Sequence, residues 1–155
     1  PCRIIDLGAG TGEGVRLLRS LGFEAAGIDL EPGADVERGD ILAPPYGAAS
    51  FDAALSQCAF YLTGAPEAAL CRASELLRPG GRLLFSDICR GGEPWLRAAA
   101  RDAGLEPGFV GDDTGNWKSY YINALWRGEA VPPPEGARQA DFRYLYAVLI
   151  KKEVL

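Results

Sequence analysis

Asp6-Leu7-Gly8-Ala9-Gly10-Thr11-Gly12 is the stretch on which the reading of this chain turns. A short apolar run, Arg3 to Leu7, leads into it. Glu13 to Leu21 follows, with Val15 and Leu18 three apart and Leu17 and Leu21 four apart. Spacings of three and four put apolar side chains on one helical face, so the glycines occupy a turn between a strand and a helix that stops at Gly22. Glycines there let a ligand approach the backbone, and the helix start offers N–H groups without intrahelical partners. Many nucleotide-binding folds use this device, so the loop alone does not choose among them.

Working outward, Phe23 to Leu30 reads as a second strand. Asp29 stands near its end, 17 residues beyond Gly12, where a carboxylate can accept hydrogen bonds from ribose hydroxyls. Val36 to Asp40 is the expected third strand, yet only five residues separate it from Leu30. A parallel crossover normally needs a dozen or more, so the helix there is expected to be replaced by a short loop. Phe51 to Gln57 is a further strand, and a helix from Pro66 to about Leu77 follows. The turn Arg78-Pro79-Gly80-Gly81 leads into a strand from Arg82 to Ile88. Pro94 to Ala103 reads as a helix stopped by Gly104, Leu105 to Val110 as a strand, and Thr114 to Arg127 as an aromatic-rich helix. Pro132-Pro133-Pro134 is a stiff linker before a long last strand, Phe142 to Lys152, with Asp141 just ahead of it. There is no internal repeat. Alternating strands and helices predict an α/β fold with a mostly parallel sheet covered on both faces.

The 155 residues suit one domain, 48% apolar and 24% charged. No run approaches 18 consecutive apolar residues, so no membrane partner is expected. Pro1-Cys2-Arg3-Ile4-Ile5 lacks the basic lead of a signal peptide, so the cytoplasm is the expected compartment. Methionine is absent altogether, so Pro1 is not a translation start and a leading segment is expected to be missing. A net charge of -5 argues against a nucleic-acid partner, which would need phosphates neutralised. Cys2, Cys58, Cys71 and Cys89 include no C-x-x-C pair, and there is no histidine. Imidazole bases and His-ligated metals are therefore excluded, and no metal site is expected.

At this point the chain resembles the class I S-adenosylmethionine-dependent methyltransferases over nearly its whole length. Asp6 to Gly12 resembles that family's first motif and Gly27-Ile28-Asp29-Leu30 its second. Gly39-Asp40-Ile41 is similar to the adenine-contacting segment, and Ser50 to Gln57 to the fourth strand, whose end faces the cofactor's methionine part. Leu77 to Phe85 is similar to the turn and fifth strand, and Phe142 to Lys152 to the antiparallel last strand. The resemblance implies a three-layer sandwich with a seven-stranded sheet in the order 3-2-1-4-5-7-6, the last strand antiparallel. It implies S-adenosyl-L-methionine as cofactor, S-adenosyl-L-homocysteine as product and a small-molecule acceptor. Its binding residues would be Asp6, Gly8, Ala9, Gly10, Gly12, Asp29, Leu30, Asp40, Ile41, Ser56 and Gln57.

Two other functions stay open. A nicotinamide cofactor would want G-x-G-x-x-G, whereas here G-x-G-x-G is followed by Glu13, a negative charge where a diphosphate would sit. A binding module without catalysis is the other. Methyl transfer from a sulfonium is an in-line displacement needing a base only when the acceptor is protonated, so the missing histidines do not count against it.

Several residues carry an ordinary reading beside the functional one. Asp6 could serve loop amides beneath the glycines, Asp40 could be a turn residue, and Ser56 and Gln57 could simply end a strand. Cys58 and Cys89 each lie just past the C-terminal ends of strands that the resemblance makes neighbours, about 5 Å apart, so the thiols could meet at an acceptor rim, or be small apolar fillers. Trp117, Tyr121 and Leu125 share a helical stripe with Tyr120 beside it, which is either core or a wall of the acceptor pocket. Asp112 and Asp113 would cap that helix or face the acceptor.

Overall fold

The computed structural model describes residues 2–129 and 141–153; the proline linker at 132–134 lies outside them. Strand β1 (Arg3–Leu7) leads through the glycine turn into α1 (Glu13–Ser20). Then come β2 (Glu24–Asp29), a two-residue β3 (Glu37–Arg38) and β4 (Phe51–Gln57). A single 3-10 turn, Tyr61–Thr63, precedes α2 (Pro66–Leu76). The chain continues as β5 (Leu77–Arg90), α3 (Gly92–Asp102), β6 (Leu105–Asp112), α4 (Thr114–Trp126) and β7 (Phe142–Lys151).

The seven strands form one sheet in the order β3-β2-β1-β4-β5-β7-β6, with β7 antiparallel to both neighbours, as the sequence predicts. The reversal of strand order between β1 and β4 opens a crevice at the carboxyl ends, where such sheets bind ligands. Period-two alternation divides the side chains between the faces. Ile5, Leu7, Ala54, Leu83, Phe85 and Leu145 meet Leu70 and Leu76 of α2 and Leu96 of α3 in the main core. Asp6 and Gly27 face the other way, toward Gly14 and Val15 of α1. That second face is unevenly covered, since Leu84, Phe109 and Tyr146 on β5, β6 and β7 remain exposed.

The expected short crossover is present: no helix joins β2 to β3. The connecting loop is instead braced against the glycine turn. The Gly33 amide donates to the Gly10 carbonyl (2.9 Å), and Asp35 forms ion pairs with Arg16 and Arg19 of α1. Several boundaries differ from the sequence reading by one or two residues, among them β5, which runs to Arg90 and so includes Cys89, and two differ in kind. Arg78 to Gly81 do not end the preceding element as a free turn but belong to one long β5, with a register shift opposite Phe51 to Ala53. The third strand shrinks to Glu37 and Arg38, held by Ile28 and Asp29.

Candidate functional site

A cavity of about 180 Å³ lies at the carboxyl ends of β1, β2 and β4, lined among others by Gly8, Asp29, Leu30, Asp40, Ile41 and Cys58. Gly8 is required twice over. Its φ of +87° is in the left-handed region, and a Cβ there would stand 2.4 Å from the Ala59 Cβ. At Gly10 the same construction meets nothing within 4 Å, so the loop leaves open space for a ligand. Leu30 and Leu62 offer exposed apolar surface at the rim, and Ile41 supplies a buried apolar floor.

The polar groups of this cavity already have directions. Asp29 accepts from the Gly10 amide on one oxygen and the Glu31 amide on the other, both at 2.9 Å. A carboxylate has about four acceptor positions, so lone pairs remain for a ligand's vicinal hydroxyls. Asp40 accepts from the Leu42 amide through Oδ1 at 2.8 Å, while Oδ2 makes no hydrogen bond among the described residues. The turn-residue reading of Asp40 therefore holds for one oxygen and leaves the other available.

The amides of the glycine turn point inward. Gly8 and Ala9 both donate to the Ile28 carbonyl (2.9 and 3.0 Å), Gly10 to Asp29, and Gly12 to the Ala9 carbonyl (2.9 Å). A loop that cradles a diphosphate presents such N–H groups to the ligand; this one engages those of Gly8, Ala9, Gly10 and Gly12 internally, and the exposed Glu13 puts a negative charge at the helix start beyond. The same bonds overturn one reading of Asp6, because these loop amides donate elsewhere. Asp6 lies beneath the loop, 7% exposed and off the cavity lining, its Oδ2 2.7 Å from where a Gly14 Cβ would stand. Burial, with the nearby Asp29 charge, pushes its carboxyl up to about 6.

Ser56 is fully buried in β4 with its hydroxyl unpartnered, and Gln57 is exposed; neither lines the cavity. Strand parity turns Ser56 toward the core. Gly39, of the adenine-contacting segment, lines it as well; Ala59, Leu62 and Thr63 also do and were not picked out by sequence reasoning, because three residues of 3-10 turn leave no periodic signal. Asp87 positions that turn. Buried at the end of β5, its carboxylate accepts from the Tyr61 amide (2.9 Å) and the Ile88 amide (2.7 Å).

Beside the cavity stands an aromatic wall. Cys58 adopts a left-handed φ of 52° and lies with Sγ 3.3 Å from the Tyr144 hydroxyl. Tyr144 stacks on Trp117 at 6.0 Å between centroids, Trp117 meets Tyr121 edge-on at 5.3 Å, and Tyr121 meets Tyr120. The stripe on α4 is thus not core: only Ala124 of that helix is buried, and Tyr120, Leu125 and Trp126 face outward. Burial raises the Cys58 thiol and the Tyr121 hydroxyl above their ordinary ranges, and with the Cys58 hydrogen bond it raises Tyr144 to about 12. All three are neutral at physiological pH.

Cys89 is not part of this wall. It pairs in register with Arg143, while Ile88 pairs with Tyr144, so alternation sends Cys89 to the opposite face. There it is fully buried in the main core, which pushes its thiol upward. The two thiols do not meet, and Cys89 is the small buried filler of the alternative reading. Asp112 accepts from the Thr114 amide at 2.8 Å and so fills the helix-start role, while Asp113 binds the Asn116 side chain.

A second, larger hollow of about 760 Å³ opens past Leu62, which borders both spaces. Tyr61, Glu67, Ile88, Arg90, Trp95 and Asp141 are among its lining residues. Among the described residues no helix is long and apolar enough to cross a membrane, and no cluster of three or more potential metal-ligating side chains occurs.

A crevice between a glycine turn and a strand-end carboxylate, at the switch point of a sheet in the order 3-2-1-4-5-7-6, is the architecture of the class I methyltransferases. Residues 5–85 match the family model for a methyltransferase domain. The chain belongs to this family of S-adenosylmethionine-dependent methyltransferases. It is 34% identical over 107 residues to a malonyl-[acyl-carrier protein] O-methyltransferase of Salmonella typhimurium, a match covering 62% of this chain and 43% of that one. The chain thus spans under half the length of that curated relative. Among solved structures, geranyl diphosphate C-methyltransferase from Streptomyces coelicolor A3(2), in complex with S-adenosyl-L-homocysteine, superposes with a TM-score of 0.73 at 18% identity, over 97% of this chain and 73% of that one. The [4+2]-cyclase SpnF superposes equally well, 0.73 at 19% identity, over 99% of this chain and 75% of that one. Likeness at this level shows the fold alone.

Proposed function

We propose that this chain transfers the methyl group of S-adenosyl-L-methionine to a small-molecule acceptor. The observation that carries the proposal is the pairing of an inward-bonded glycine turn with Asp29 and the open space over Gly10. Together these suit an adenosine bearing a cationic tail and oppose a diphosphate. Asp29 would hold the ribose hydroxyls, Asp40 the adenine amino group, and Leu30, Ile41 and Leu62 the ring's flanks. Gly8, Ala9 and Gly10 would border the methionine part, and Asp6 would supply negative charge beneath it. When bound, the cofactor supplies a sulfonium methyl already activated for displacement.

The chain's own task is to orient the acceptor and exclude water. Cys58, Tyr121 and Tyr144 hold their protons at neutral pH, so this wall hydrogen-bonds and shapes the acceptor without deprotonating it. Titration calorimetry with S-adenosyl-L-homocysteine and with NAD tests the proposal. The first should bind, the second should not, and Asp29→Ala should weaken the first at least tenfold. Binding of NAD in place of the adenosyl ligand would refute it. Turnover of labelled methyl groups then distinguishes an enzyme from a binding module.

A further inference from the structure

The larger hollow beside the cofactor cavity contains an arginine out of keeping with its surroundings. Most described arginines sit in ion pairs: Arg3 with Glu24, Arg78 with Asp52, Arg97 with Glu93 and Arg143 with Asp112 are examples. In a chain of net charge -5, carboxylates are in surplus. Arg90, the last residue of β5, nevertheless has no ion pair among the described residues, although Glu67 and Asp141 line the same hollow. Glu67 accepts the Trp95 indole N–H at 2.8 Å instead. The Arg90 guanidinium rests instead over the Phe142 ring, 5.8 Å from its centroid, and Phe142 in turn meets Tyr61 edge-on. A ring face restrains a guanidinium while leaving its planar set of N–H donors free for an oxygen pair.

We propose that Arg90 is the anchor for a carboxylate group of the methyl acceptor, whose body passes between Tyr61 and Trp95 and whose reacting end reaches past Leu62 into the cofactor cavity beside Cys58. This rests on the methyltransferase reading above. A carboxylate fits better than a phosphate because one guanidinium matches one negative charge, whereas a dianion would also meet Glu67 and Asp141.

The Trp95 indole N–H signal reports on the hollow directly. In ¹⁵N-labelled protein, with Trp95→Phe to assign it among the three tryptophans, benzoate, benzamide and inorganic phosphate are titrated with and without S-adenosyl-L-homocysteine. Benzoate should move the signal saturably, with benzamide and phosphate each at least tenfold weaker. Arg90→Gln should abolish the preference for benzoate and Arg90→Lys should keep part of it, while both bind S-adenosyl-L-homocysteine like the parent. Equal action of benzoate and benzamide overturns the proposal, as do phosphate binding at least as tight, an unchanged Arg90→Gln, or no response of the indole to benzoate. If the parent fails to bind S-adenosyl-L-homocysteine, the methyltransferase reading falls, whatever the benzoate arm shows.

Discussion

Replacing Asp6 by asparagine tests whether a buried carboxyl beneath the glycine turn costs stability. The Asp6 carboxyl is driven from an ordinary 3.8 to about 6, first by burial and then by the Asp29 charge. At about 1.4 kcal/mol per pH unit, that displacement corresponds to about 3 kcal/mol at most. Because the folded value lies above the unfolded one, the native state binds the proton more tightly. The stabilisation is complete below about pH 4 and disappears as pH rises through about 6. The ionised group is then a burden at pH 7.5, and Asp6→Asn, of nearly the same shape, should relieve it by about 2–3 kcal/mol. Urea unfolding of parent and variant at pH 4.5, 6 and 7.5 measures this. Asp87, whose burial acts in the same direction, and Asp52 and Asp112, which act oppositely, are common to both proteins and cancel. The difference between the curves should grow with pH between 4.5 and 7.5. Parallel curves, or a variant less stable at pH 7.5, would refute the reasoning.

Two further outcomes follow from the same geometry. Gly8→Ala forces a φ of +87° on a residue with a Cβ and drives that atom to 2.4 Å from Ala59. It should cost about 2–4 kcal/mol in urea unfolding and abolish calorimetric binding of S-adenosyl-L-homocysteine. Asp87→Ala leaves the Tyr61 and Ile88 amides without their acceptor, at about 1–3 kcal/mol each. Adenosyl affinity should drop with it, because the turn it holds carries Leu62 and Thr63; unchanged affinity would remove Asp87 from its positioning role.

Much of the sheet was legible because its signals are local. Gly8 and Gly12 marked the first turn, and five residues between Leu30 and Val36 ruled out a crossover helix by length alone. Asp29 was legible for the same reason: a carboxylate at the second strand's end has a fixed place relative to the first turn. What failed depended on facing. Cys58 lies just past β4 as expected and Cys89 within β5 rather than past it, but only pairing register tells that they point to opposite faces. Trp117, Tyr121 and Leu125 were correctly read as a helical stripe, yet periodicity does not reveal what the stripe packs against. Tyr144 and Arg90 carried no motif at all. They gained meaning when an antiparallel pairing brought Ile88 beside Tyr144 and Arg90 beside Phe142.

The place of β7 constrains how the molecule is made. It follows every other described element in the chain, yet its slot lies between β5 and β6. Without residues 142–151, β6 has no strand to join in the sheet. Tyr144 and Phe142, which support Cys58 and Arg90, arrive in that same segment. The supports of Cys58 and Arg90 therefore come from the same last segment that joins β6 to the sheet.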